Sequence, residues 1–173
     1  MTGLPSAPSK LALVLLSTAL LVQGASSLNS TDSDFLKSAA KGGTAEVELG
    51  KMAALKASDP KVKEFANRMV RDHSKANSEL SKLAASKGLD LPSGKGISND
   101  ASAMHLKMVS GKDFDSTYVK MMVDDHKEDV AAFEKAASES TDPDVKGFAS
   151  KILPTLKHHL EMIEKLQAAV ETK

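Results

Sequence analysis

The sequence predicts an all-α protein: a bundle of four long helices with one long crossover that carries a short extra helix. Three observations predict it. Apolar residues recur at intervals of three and four over four long segments. Two Asp-Pro pairs, Asp59-Pro60 and Asp142-Pro143, punctuate those segments as stop-and-restart signals. No stretch shows the strict alternation of a strand.

The first segment reads as a helix from Asp34 to about Ala57, with Ser33 as its N-cap. Its small face carries Ala39, Gly43, Gly50 and Ala53. Gly42 and Gly43 each cost a helix interior about 1 kcal/mol against Ala, which makes sense where a neighbouring helix comes close. The second helix starts at Pro60 behind an Asp59 cap and runs to about Lys87, with Gly88 closing it. Its stripe is built on Val62, Phe65, Met69, Val70, Leu80 and Leu83. Residues 88–112 change character: a loop with Gly94-Lys95-Gly96, then a short helix from Asn99 to about Val109 capped by Ser98 and ended by Gly111. The third long helix is expected from Phe114 to Ala137 and the fourth from Pro143 to about Val170. Pro154 lies inside the fourth, where it removes one hydrogen bond and is expected to kink the helix near Ser150.

The two Asp-Pro segments are also a repeat. Asp59-Pro60-Lys61-Val62-Lys63-Glu64-Phe65-Ala66 matches Asp142-Pro143-Asp144-Val145-Lys146-Gly147-Phe148-Ala149 at a constant offset. Two similar hairpins joined by a connection long enough to cross the bundle give ferritin-like connectivity.

Residues 1–25 stand apart from the bundle, which is assigned to residues 33–172. Lys10 is the only charge among them, Leu11 to Val22 is a continuous apolar run, and Gly24, Ala25, Ser26 and Ser27 follow. That is the layout of a signal peptide, with cleavage expected between residues 24 and 27. The apolar run falls short of the ~20 residues that span a bilayer. There is no cysteine for a lipid anchor or a disulfide. The mature chain is therefore expected to be exported, periplasmic or extracellular, with no transmembrane span after cleavage and with packing as its source of stability.

Composition narrows the function. Lys plus Arg and Asp plus Glu both number 23, so no basic surplus points to nucleic acid. Aromatics are five Phe and one Tyr, too few for base-stacking platforms. No thiol nucleophile, phosphate-binding loop or hydrolase motif is present, and no catalytic residues are assigned. The outer Lys and Glu residues read as a solvated surface.

Four titratable residues interrupt the apolar stripes, one per long helix: Glu46, His73, His126 and His159. His158 points away and is expected in solvent. Glu46 and His73 are equidistant from the Asp59-Pro60 turn, and His126 and His159 are equidistant from Asp142-Pro143. With both turns at the same end of the bundle, all four groups fall within about one helical turn. Three imidazoles and a carboxylate at one level suit zinc, copper or iron. Asp129, on the next turn after His126, can join as a fifth ligand or stand behind one. The competing reading is a polar layer whose members hydrogen-bond one another, with or without a trapped water. Met104-His105-Leu106-Lys107-Met108 offers sulfur and imidazole at helical spacing, which suits cuprous ion; methionine filling irregular core space is its alternative.

Several of these residues carry a resemblance. Glu46-Val47-Glu48-Leu49-Gly50, Phe65-Ala66-Asn67-Arg68-Met69-Val70-Arg71-Asp72-His73, Phe114-Asp115-Ser116-Thr117-Tyr118 with Met122-Val123-Asp124-Asp125-His126, and Leu153-Pro154-Thr155-Leu156-Lys157-His158-His159-Leu160 resemble domain-of-unknown-function family 4142 (DUF4142) over about residues 33–170. The resemblance implies a bacterial exported protein with a ferritin-like bundle, often labelled an outer-membrane protein. A helical pattern is incompatible with an outer-membrane barrel. Di-iron enzymes of ferritin-like fold need Glu-x-x-His pairs, but here Val70, Val123 and Leu156 occupy the Glu positions. The expected function is that of an exported bundle that binds a transition metal in its core or acts in envelope stress. The alternative is a structural or interaction module with a hydrogen-bonded polar core layer and no ligand.

Overall fold

The computed structural model describes residues 28–92 and 101–171. The signal segment, its cleavage zone, the Gly94-Lys95-Gly96 loop and the Ser98 cap lie outside the described residues. The rest forms five helices: α1 (Ser30–Lys56), α2 (Pro60–Ser86), α3 (Ala101–Met108), α4 (Gly111–Glu139) and α5 (Pro143–Glu171). No strand occurs among the described residues.

Local chemistry sets the boundaries. α1 begins ahead of the predicted Ser33 cap, because Asn29 caps it: its side chain accepts from the Asp32 amide at 2.7 Å. Asp59 accepts from the Lys61 amide at 2.8 Å ahead of Pro60. Asp142 accepts from the amides of Asp144 and Val145 at 2.9 and 3.1 Å ahead of Pro143. Gly88 takes φ 65°, a left-handed conformation that closes α2. Gly111, expected to end the short helix, opens α4 instead, with φ 59° after the Ser110 cap. α5 continues through Pro154 as one helix.

Two buried aspartates show how the helices are arranged. Asp115, near the start of α4, accepts from the backbone amides of Ser58 and Asp59 at 2.9 and 2.8 Å and from the Ser58 hydroxyl, so it sits on the α1–α2 turn. Asp32, near the start of α1, accepts from the Ser140 hydroxyl at 2.7 Å and the Asp142 amide at 3.1 Å, so it sits on the α4–α5 turn. Asp32 and Asp115 are separated by the same interval as Asp59 and Asp142. The repeat therefore extends through both hairpins, and each half staples the turn of the other.

These staples correct one expectation. The two hairpin turns lie at opposite ends of the bundle. A crossover that runs the length of α2 delivers the chain to the far end, which turns the second hairpin over. The connection does this between Ser86 and Gly111, with α3 packed on α4 through buried Ala103 and Leu106. The four groups still meet because each lies near the middle of its helix, where distances from the two ends are similar.

Gly43 and Gly50 are the close-approach glycines. A Cβ on Gly43 would collide with Asn77, and one on Gly50 would lie 3.1 Å from the Ala66 carbonyl. Gly42, expected to share this role, does not, since its nearest neighbour, Asp129 Oδ1, would be 3.9 Å away.

The core has two apolar halves. One contains Leu49, Phe65, Met69, Phe114, Met122 and Ile163. The other contains Leu36, Leu80, Phe133, Val145, Phe148 and Leu156. On every long helix, the residue between the two halves is one of the four titratable groups.

Candidate metal centre

Glu46, His73, His126 and His159 are all buried, with exposures of 3%, 5%, 0% and 1%. Each is carried into the interior because it occupies an apolar-stripe position in the middle turns of its helix. The three imidazole rings form a triangle with centroid separations of 5.4 to 5.6 Å. Phe65 sets its edge against two of them, 6.4 Å from His126 and 6.2 Å from His159. One nitrogen from each histidine can be chosen so that all three lie within 4.8 Å of one another. A tetrahedral ion with bonds of about 2.0 Å holds its nitrogens roughly 3.3 Å apart, so the triangle stands somewhat open.

Each ring meets a polar partner through one nitrogen, by a hydrogen bond at His126 and His159 and by a close contact at His73. His126 Nδ1 is 2.9 Å from the Met122 carbonyl. A carbonyl only accepts, so Nδ1 carries the hydrogen and Nε2 keeps its lone pair. His159 Nε2 is 3.0 Å from Asp72 Oδ2 and donates to it, leaving the lone pair on Nδ1. His73 Nδ1 lies 2.8 Å from Glu46 Oε2. That contact is short but off the N–H axis, so neither Glu46 oxygen receives an in-line hydrogen bond. Glu46 Oε1 is also 3.6 Å from His126 Nδ1. The opposite nitrogens, His73 Nε2, His126 Nε2 and His159 Nδ1, are buried and make no hydrogen bond.

The electrostatics favour a neutral layer. Burial lowers His73, His126 and His159 from their ordinary value to about 4 each, so the imidazoles are uncharged at neutral pH. Burial raises Glu46 to about 7, against the opposing pull of His126. Asp129 is also raised to about 7, by burial and by the nearby Glu46 charge. At Asp72 burial pushes upward, but the hydrogen bond from His159 and the charges of Arg71 and Arg68 outweigh it, and the carboxyl is held below its usual range.

Asp129 lies beside this group, half-buried on α4, and is not one of the residues forming the compact three-nitrogen set. His158 is exposed, as its phase requires. On α3, Met104 and Met108 are 55% and 85% exposed, so they do not fill the core. Sequence reasoning missed Asp72. It precedes His73 and reads as surface on its own helix, and its role comes from a partner on α5. The staples Asp32 and Asp115 were also missed, although the repeat offset links them.

The chain belongs to the family described as Domain of unknown function (DUF4142), whose model matches residues 17–166. No curated protein matches it in sequence. Solved structures share its fold. A DUF305 fragment from Deinococcus radiodurans superposes with a TM-score of 0.74 at 11% identity, over 83% of this chain and 99% of that one. A DUF305 protein from Streptomyces coelicolor gives 0.71 at 17% identity, over 82% and 94%. CopM in its Cu(I)-bound form gives 0.67 at 17% identity, over 82% and 98%. At these identities the likeness concerns the fold. No helix among the described residues is long and apolar enough to cross a membrane.

Proposed function

We propose that this is an exported metal-binding protein that holds one soft transition-metal ion, Cu(I) or Ag(I), on His73, His126 and His159. The carrying observation is the set of three buried, unpartnered nitrogens, one per imidazole, with His126 and His159 hydrogen-bonded on their other side and His73 in a 2.8 Å contact with Glu46. An unpaired buried polar atom costs about 1–3 kcal/mol. Three of them on one triangle are a large cost for a fold to carry without return, and a metal ion turns each into a bond. Glu46, Asp72 and the Met122 carbonyl serve as anchors that fix ring orientation and tautomer.

Charge supports a monovalent ion. Three neutral imidazoles and an ionised Glu46 around a single positive charge leave no net charge in the core, whereas a doubly charged ion needs a further carboxylate such as Asp129. The solved relative CopM, described in Cu(I)-, Cu(II)- and Ag-bound forms, supports the choice of metal. Export rests on the signal-like layout of residues 1–25, and an exported, cysteine-free chain would meet copper and silver outside the cytoplasm.

A second reading is a polar layer without metal. A cavity of about 20 Å³ beside Glu46, His73 and Asp129 is large enough for one water, which would satisfy part of the layer. Elemental analysis decides between them. Protein purified without chelator should retain close to one metal ion per chain after Cu(I) or Ag(I) loading, and the His73→Ala, His126→Ala double variant should retain none. Wild-type protein that stays metal-free and shows no thermal shift with copper, silver, zinc or iron would leave the polar layer as the answer.

A further inference from the structure

We infer that the cleft between α2 and α5 is the route by which the metal ion enters and leaves the imidazole triangle. The inference rests on the metal-binding reading above and supplies the path that such a buried site needs.

The three free nitrogens are closed off from solvent, so no ion reaches them unless part of the wall moves. The two apolar halves of the core close the layer from above and below. Toward the seam of α1 and α4, Glu46 stands against His73 at 2.8 Å and His126 at 3.6 Å. No histidine lines the groove on that side.

The seam of α2 and α5 is different. A cleft of about 230 Å³ lies there, with room for several waters. His73 and His159 both line it, and they are the two imidazoles that keep any exposure, 5% and 1%. Asp72 lies on the same wall, with 26% of its side chain exposed and its Oδ2 3.0 Å from His159 Nε2. One carboxylate thus touches both the solvent and a ring of the triangle. A cation in the cleft meets a negative charge that leads inward.

Two features let the walls move. Glu79 of α2 and Lys151 of α5 pair at 2.7 Å and tie the two sides of the cleft together. Both side chains reach solvent, and an exposed pair of this kind is weak, so the tie opens readily. Pro154 sits in the stretch of α5 that forms one wall, and it has no amide hydrogen to give the Ser150 carbonyl. That wall is held by one helical hydrogen bond fewer than the rest of α5.

Exchange of Cu(I) with a coloured Cu(I) chelator, followed in both directions by anaerobic stopped flow, tests the route. Blocking a route slows association and dissociation by the same factor and leaves Kd alone. Thr155 lines the cleft and is exposed, so Thr155→Trp fills the mouth without entering the core. It should slow both rates by about tenfold or more. Lys151→Gln releases the tie to Glu79 and should raise both rates by up to about fivefold. Ser38→Trp puts the same bulk into the groove between α1 and α4 and should change neither rate. A Thr155→Trp chain that releases Cu(I) at the wild-type rate overturns the proposal, as does a Ser38→Trp chain that exchanges more slowly than Thr155→Trp. Should Thr155→Trp fail to fold, unchanged exchange in Lys151→Gln overturns it instead. Wild-type protein that binds no Cu(I) at equilibrium would refute the metal-binding reading itself. Wild-type binding with unaltered rates in Thr155→Trp would refute the route alone.

Discussion

Replacing His126 by Leu separates a metal site from a structural polar layer, because the two readings assign opposite signs to the stability of the metal-free protein. The variant removes the unpartnered Nε2, a gain of about 1–3 kcal/mol. It also removes the Nδ1 hydrogen bond to the Met122 carbonyl, a loss of about 1 kcal/mol, while that carbonyl keeps its place in the α4 backbone. Leu is close to His in size, so misfit costs under about 1.5 kcal/mol. Glu46 retains its 2.8 Å contact with His73. The metal-free variant should therefore match wild type or exceed it by about 1 kcal/mol, a Tm rise of about 3 °C for a domain of this size. With silver at a hundred times its Kd, wild type gains about 2.7 kcal/mol, or roughly 8 °C, and the variant gains almost nothing. The order of the two proteins should depend on metal: the variant melts level with wild type or above it in chelator, and wild type melts higher with Ag⁺. Calorimetry in chloride-free buffer measures both arms. Two results would refute the reasoning. One is a metal-free variant destabilised by more than about 2 kcal/mol, the range of a broken buried polar network. The other is a variant that keeps the full silver shift.

Three further outcomes are expected. Asp72→Asn weakens the anchor of His159 and should lower silver affinity by about 10- to 100-fold in competition titrations, with little effect on the metal-free Tm because Asp72 is partly exposed. The carboxyl of Glu46 titrates near 7 when folded and near 4.5 when unfolded, so its contribution is present below pH 4.5 and is lost as pH rises through 7. Glu46→Gln should thus stabilise the metal-free protein at pH 8 by on the order of 3 kcal/mol and by much less at pH 5, as denaturant titrations at the two pH values will show. The buried histidines run the other way, with stability lost as pH falls from 6.5 towards 4. Gly147→Ala meets nothing within 4 Å and should raise stability by about 1 kcal/mol, while Gly50→Ala meets the Ala66 carbonyl at 3.1 Å and should lower it; a rise in Tm for both would show that α1 can yield there.

Much of the site was legible because its members break a periodic pattern. Glu46, His73, His126 and His159 each sit where the helical stripe calls for an apolar residue, and periodicity alone puts such a residue inside. Their common level was also legible, although the assumed placing of the turns was wrong, since residues near the middle of helices of similar length meet whichever way a hairpin points. Asp72 was not legible, because nothing on its own helix shows that α5 will bring His159 against it. The sequence marks Gly42 and Gly43 alike, yet only Gly43 meets a neighbour, because adjacent helical residues point about 100° apart and only the packed partner tells which one faces it.

The sequence by itself determined the four long helices, the Asp59 and Asp142 caps and the Gly88 stop, the internal duplication and the four polar residues of the core, because each follows from local chemistry or from the helical period. Only the tertiary structure decided that the hairpins are inverted, that Asp32 and Asp115 each hold the turn of the other half, and which nitrogen of each imidazole is anchored and which is left bare. Those facts depend on contacts between residues far apart in the chain, and the direction of a hydrogen bond between two helices is set by how they pack, which no single helix encodes.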